Sequence, residues 1–154
     1  MGILWTGLIC SGVWQTVSLH RYPQIALELP AGRAVPVDDL YNQEFVWLLH
    51  HMKPDDTFLQ VSWLNLYFPM KLRSPVFVDG LWADKKTTPE LVALTIRQVE
   101  HAQIQYILWS PRLTNPHDPN SVGPDSLGPF RDYLISHYTR IQAFSNQDEI
   151  WQRQ

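Results

Sequence analysis

The stretch Thr87–Ser110, TTPELVALTIRQVEHAQIQYILWS, limits what this chain can fold into more than any other. Thr87 or Thr88 is placed to cap a helix, and Pro89 suits a first turn whose amide has no partner. Glu90 sits where the helix dipole favours a negative charge. Val92, Ile96 and Val99 recur at helical spacing, Leu91 and Ala102 widen the stripe, and Arg97, Gln98, Glu100 and His101 lie mostly away from it. The pattern changes at Ile104 without a Gly or Pro break. Ile104–Trp109, IQYILW, is short and rich in β-branched and aromatic residues, so it reads as a strand buried on both faces and stopped by Ser110-Pro111. A helix feeding a buried strand is half of an α/β unit and predicts a parallel or mixed sheet with covering helices.

The neighbouring segments extend that plan. Ile25–Leu29, the turn Pro30-Ala31-Gly32 and Arg33–Val37 read as a hairpin. Asp38 or Asp39 caps a helix whose apolar face is Leu40, Phe45, Leu48, Leu49 and Met52. Pro54-Asp55-Asp56 is a turn, Phe58–Trp63 a second buried strand, and Asn65–Leu72 a short helix broken near Pro69. Val76–Asp79 reads as a third strand, ended by Gly80. Pro111–Pro129 holds five prolines in nineteen residues, too long for a plain connection, so it is a functional or a mobile loop. A helix over Phe130–Tyr138 follows, and Arg140–Phe144 and Glu149–Arg153 close a hairpin around Asn146-Gln147-Asp148. Right-handed crossovers then predict one α/β domain over residues 25–154: a three-layer, Rossmann-like mixed sheet. Its mainly parallel centre is Phe58–Trp63, Val76–Asp79 and Ile104–Trp109, and the C-terminal hairpin forms an antiparallel edge.

At 154 residues, 45% apolar and 18% charged, the chain is long enough and apolar enough for one sizeable core. A net charge of −3 without a Lys/Arg cluster argues against a nucleic-acid partner. A single cysteine, Cys10, excludes an internal disulfide and a multi-cysteine metal site. Residues 1–24 stand apart: Gly2–Trp14 is uncharged and mostly apolar, yet too short for a full membrane span. It lacks the flanking charge and cleavage pattern of a signal peptide, and reads either as an ordinary buried strand or helix or as the trimmed end of a membrane span. Val13–Leu19 is a strand or the end of a helix.

None of the seven glycines forms a dinucleotide or Walker turn, which removes the usual pyrophosphate cradle and weighs against a methyltransferase. No cofactor is expected. His50 and His51 point apart on a helix, His117-Asp118 lacks a second ligand at diagnostic spacing, and His101 and His137 are isolated, so no metal is expected. No nucleophile elbow supports a Ser-His-Asp site, and no catalytic residue is assigned. One constellation stands out. Parallel core strands would carry Trp63, Asp79 and Trp109 at their carboxyl ends, with Tyr67, Trp82 and Arg112 in the adjoining loops. Ligands bind at that edge of open α/β sheets, and aromatic faces with an Asp and an Arg suit a sugar. The plainer alternative is that these aromatics pack the loops or meet another domain.

Several stretches taken in order carry a resemblance. They are Leu29-Pro30-Ala31-Gly32, Trp47-Leu48-Leu49 before Lys53-Pro54-Asp55-Asp56, and Tyr67-Phe68-Pro69 before Leu72-Arg73-Ser74-Pro75. Tyr106–Leu113, Tyr133-Leu134, Tyr138 and Glu149-Ile150-Trp151 continue the series. Over about residues 25–153 the chain resembles the soluble C-terminal domain of bacterial membrane glycosyltransferases related to the dolichyl-phosphate-mannose mannosyltransferases. In such enzymes a polytopic membrane part transfers sugar from a polyprenyl-phosphate donor, using an acidic residue of an early extracytoplasmic loop. Nothing in this sequence matches that loop. The resemblance therefore implies a non-catalytic accessory domain on the periplasmic face of the inner membrane, with a glycan or lipid-linked sugar and an adjoining membrane domain as partners. It implies no activity in the isolated chain. The alternative is a free-standing, cytoplasmic Rossmann-like enzyme or small-ligand-binding protein.

Overall fold

The computed structural model describes residues 26–35, 39–61, 65–77, 80–82, 87–114 and 125–154. The apolar segment 1–24, Trp63, Val78, Asp79, His117, Asp118 and most of the proline-rich stretch lie outside the described residues. In chain order the elements are β1 (Leu27–Leu29), β2 (Gly32–Ala34), α1 (Asp39–His51), β3 (Leu59–Val61), α2 (Tyr67–Met70) and α3 (Pro89–His101). Then come β4 (Tyr106–Trp109), a 3-10 turn (Pro111–Thr114), α4 (Gly128–His137), β5 (Tyr138–Ala143) and β6 (Glu149–Arg153). No helix among the described residues is long and apolar enough to cross a membrane.

The helix that dominates the sequence forms as its residues dictate. Thr88 is the N-cap of α3, its side chain accepting from the Leu91 amide at 3.3 Å, and Pro89 opens the first turn. A backbone amide bond, and then the Thr88 hydroxyl, hold the Glu90 carboxyl below its ordinary range. Val92, Thr95 and Val99 are buried, and Thr95 Oγ1 donates to the Leu91 carbonyl at 2.9 Å, so this polar group enters the core satisfied. The break needs no glycine. Gln103 takes the left-handed conformation (φ 51) that helix ends usually assign to glycine, and its Nε2 donates to the Glu100 carbonyl at 2.8 Å. The chain thus turns directly into β4.

All four residues of β4 are buried. They alternate between two apolar clusters, as the two-residue period of a strand requires. Ile107 and Trp109 join Val92 and Val99 of α3 and Phe130 and Leu134 of α4. Tyr106 and Leu108 join Phe45 and Leu48 of α1 and Met70 of α2. The fold is α/β with two sheets: a β1–β2 hairpin and a mixed four-stranded sheet in the order β3-β4-β6-β5. In the hairpin, Gly32 sits opposite Leu29 at φ 133, a backbone conformation that favours glycine.

β3 and β4 are adjacent and parallel, with Leu59 opposite Ile107 and Val61 opposite Trp109. That pair matches the expected sheet centre, but the third expected strand does not form in its described part. Val76 and Phe77 lie in a bend. The reason is local: Ser74 Oγ donates to the Val76 carbonyl at 2.9 Å and accepts from its amide at 3.3 Å, so both backbone groups of Val76 are engaged away from a strand. The other neighbour of β4 is β6, antiparallel, with Ile107 opposite Trp151 and Leu108 opposite Ile150. The C-terminal hairpin, expected as an edge, makes up half of the sheet.

Candidate functional site

Because β3 and β4 run parallel, Val61 and Trp109 end at the same edge, where the sugar-binding constellation was expected. Trp109 is 3% exposed and stacks on Phe130, with ring centroids 5.8 Å apart, so it belongs to the core. The Tyr67 hydroxyl accepts from the Gln60 amide at 2.8 Å and donates to the Phe58 carbonyl at 3.0 Å, which ties α2 to the start of β3. Burial raises the pKa of that phenol. Trp82 is half-buried; its amide donates to Thr87 Oγ1 at 3.0 Å and its carbonyl accepts from Ser126 Oγ at 3.4 Å. Arg112 reaches the edge, its Nη2 3.6 Å from Asp148 Oδ1. Trp63 and Asp79 lie outside the described residues. Of the six expected ligand-binding residues, two therefore serve the framework and Arg112 joins a different group.

That group is a buried polar knot between α1 and the β5–β6 turn. Glu44 is 1% exposed and Asp148 5%, and Asn146 is buried with them. Asn146 Nδ2 donates to Glu44 Oε1 at 2.7 Å and to Asp148 Oδ2 at 3.1 Å, while the Asp148 amide donates to Asn146 Oδ1 at 3.0 Å. At its rim Gln43 Nε2 donates to Ser145 Oγ at 2.9 Å. Burial pushes the Glu44 carboxyl up to about 8; the hydrogen bond and charge of Asp148 push the same way, against Asn146 and Arg112. The sequence reading missed Glu44, Asn146 and Asp148. A signal was present for Glu44 alone, which lies four residues before the core residue Leu48 and so shares its helix face.

The opposite edge of the sheet is open. A cavity of about 250 Å³ lies between the end of α1, the Asp56-Thr57 approach to β3, and the 102–106 link into β4. His51 and Tyr106 form its aromatic wall, 6.4 Å apart and nearly perpendicular, and Trp47 stacks behind His51 at 4.0 Å. His51 Nδ1 lies 2.7 Å from the Trp47 carbonyl. A carbonyl only accepts, so Nδ1 is the donor in this bond. Gln103, Gln105 and Asp56 add polar groups around this wall. The cavity offers ring surfaces and hydrogen-bonding groups. Among the described residues, no three or more His, Cys, Asp or Glu gather to hold a metal. No protein-family model matches the chain, and no curated protein matches it.

Proposed function

We propose that this domain is a non-catalytic accessory part of a polyprenyl-phosphate-sugar-dependent membrane glycosyltransferase, lying on the periplasmic face of a bacterial inner membrane and positioning the acceptor glycan. The observation that carries the reading is the open cavity walled by His51 and Tyr106 and ringed by amide, carboxylate and hydroxyl groups. Sugars bind such sites through a ring face on an aromatic plate, with hydrogen bonds replacing those to water, so the affinity is low. Several stretches of the series that carries the resemblance lie against one another or against β3 in the fold. The Ala31 amide donates to the Pro69 carbonyl at 3.0 Å, Arg73 Nη2 pairs with Asp55 at 2.8 Å, and the Phe58 amide donates to the Arg73 carbonyl at 3.0 Å. Residues separated in sequence thus form one framework. Phe68 and Phe77, 83% and 98% exposed, are apolar surface suited to an adjoining membrane domain.

The finer architecture belongs to the same proposal: a three-layer, Rossmann-like core with a mainly parallel centre, supported by the parallel β3–β4 pair and by apolar clusters on both sheet faces. The test of function is calorimetric titration with neutral oligosaccharides. Saturable binding is expected with Kd on the order of 1 mM, weakened at least ~5-fold in His51→Ala, as loss of one stacked face predicts. An absence of saturable binding across neutral sugars ends this reading. The second reading, a free-standing cytoplasmic Rossmann-like enzyme or small-ligand-binding protein, is favoured by the Glu44 carboxyl with its raised pKa at the carboxyl edge. Tight binding of a nucleotide, nucleotide sugar or S-adenosylmethionine in the same calorimeter would select it.

A further inference from the structure

We propose that Glu44 and Asp148 share one proton, and that this proton latches the β5–β6 turn onto α1. The four carboxyl oxygens of the pair are not equally satisfied. Two of the four carboxyl oxygens, Glu44 Oε1 and Asp148 Oδ2, accept from the same Asn146 amide nitrogen. The other two, Glu44 Oε2 and Asp148 Oδ1, are fully buried and have no hydrogen-bond donor. Two carboxylates in that state would each lack solvation in a place from which water is excluded: Phe45, Phe144 and Ile150, each within two residues of the knot in sequence, all lie in one buried apolar cluster. Two like charges would also face each other.

The charges around the pair do not resolve this. From α1 the flanking side chain is the neutral Gln43, which bonds Ser145. From the turn, Asn146 is neutral, and the next carboxylate, Glu149, is bound by Arg140 at 2.7 Å and by Trp151 Nε1 at 3.0 Å. From the segment after β4 comes Arg112, half-exposed and 3.6 Å from Asp148 Oδ1, beyond hydrogen-bond reach. Among the described residues, Arg112 is the one cation set beside the two carboxyl groups, which leaves room for one proton. It belongs on Glu44, because the Arg112 guanidinium stands beside Asp148 and not beside Glu44 Oε2. The protonated Glu44 supplies the donor that the knot lacks.

The upward shift of the Glu44 carboxyl to about 8, caused first by burial, agrees with this assignment. The folded state keeps a proton that the unfolded chain releases near the ordinary value of 4.5. Stability from this group is therefore highest at acid pH, falls as pH rises from about 4.5 to about 8, and levels off above. Loss of the proton leaves two facing carboxylates, and the turn detaches from α1. The latch does not depend on what the cavity at the other edge binds.

Glu44→Gln tests the proposal, since glutamine has the shape of the protonated acid and a permanent donor. Melting temperatures of wild type and variant are compared from about pH 5 to about pH 9. The wild type should lose melting temperature through that window, whereas the variant should be flatter and melt higher than wild type at the alkaline end. A variant that keeps the wild-type slope overturns the proposal. Carbon NMR titration of the wild-type carboxyls gives a reading independent of any substitution. A Glu44 midpoint well above the ordinary range supports the shared proton, and a midpoint near 4.5 overturns it. Hydrogen exchange at the 145–148 amides, corrected for intrinsic rates, should quicken by ~10-fold or more above the Glu44 midpoint. Unchanged protection there overturns the latch.

Discussion

The two edges of the four-stranded sheet differ in kind. At the amino edge, His51, Gln103 and Gln105 are exposed around an open cavity, and each side-chain amide or ring has a local hydrogen-bond partner. At the carboxyl edge, Glu44, Asn146 and Asp148 are buried, and two of their oxygens have none. Ligand access and perturbed acidity, which active sites usually combine, are here at opposite ends of the same strands. The topology accounts for the separation. A parallel neighbour of β4 would leave a crevice beyond its carboxyl end, the usual ligand position of open α/β sheets. β6 is antiparallel, so its leading turn arrives at that end, and Asn146 and Asp148 fill the place.

Substitutions can break or sharpen this contrast. The largest effect is expected between the edges: Trp109→Ala should cost about 3–5 kcal/mol in denaturant melts, because the indole is buried against Phe130. Sugar binding by the folded fraction should be unchanged. A mild loss of stability combined with loss of binding would return Trp109 to a ligand site. Asn146→Ala should cost about 1–3 kcal/mol, since it removes the donor shared by both carboxyls. It should also move the Glu44 midpoint further up, because the Asn146 bond holds it down; an NMR titration checks this direction.

His51→Ala inverts the pattern: at most about 1 kcal/mol from the lost stacking on Trp47, read by thermal melts, with a clear weakening of glycan titrations. If it unfolds the domain, the amino edge is structural and the contrast fails. Gln103→Gly should change stability by no more than about 1 kcal/mol, since relief of a left-handed backbone offsets loss of the bond to the Glu100 carbonyl. Denaturant titration against wild type decides its sign.

The parts of the fold legible in the sequence were those set by neighbours along the chain. Thr88, Pro89 and the Val92–Val99 spacing specify α3 locally, and the apolar run after Gln103 specifies a strand buried on both faces. Val76-Phe77 misled because the apolar pattern is that of a strand, while Ser74 captures both backbone groups of Val76. The placement of β6 beside β4 was not legible, because hairpin patterning fixes a strand's own partner and not its second neighbour. The buried knot was hidden for a related reason: Glu44 meets Asn146 across 102 positions, and each looks ordinary in its own segment. Tryptophan and arginine at strand ends point to the carboxyl edge, where, among the described residues, Arg112 stands near the perturbed group.

The position of β6 also sets a timetable. Trp109 pairs with Glu149, forty residues downstream, so β4 is made before one of its two partners. In that interval it has β3 on one side and an unpaired apolar edge on the other, the geometry that recruits foreign strands. The nascent domain is therefore most vulnerable to aggregation just before the hairpin arrives, and a ribosome stalled between β4 and β6 would expose that edge for longest.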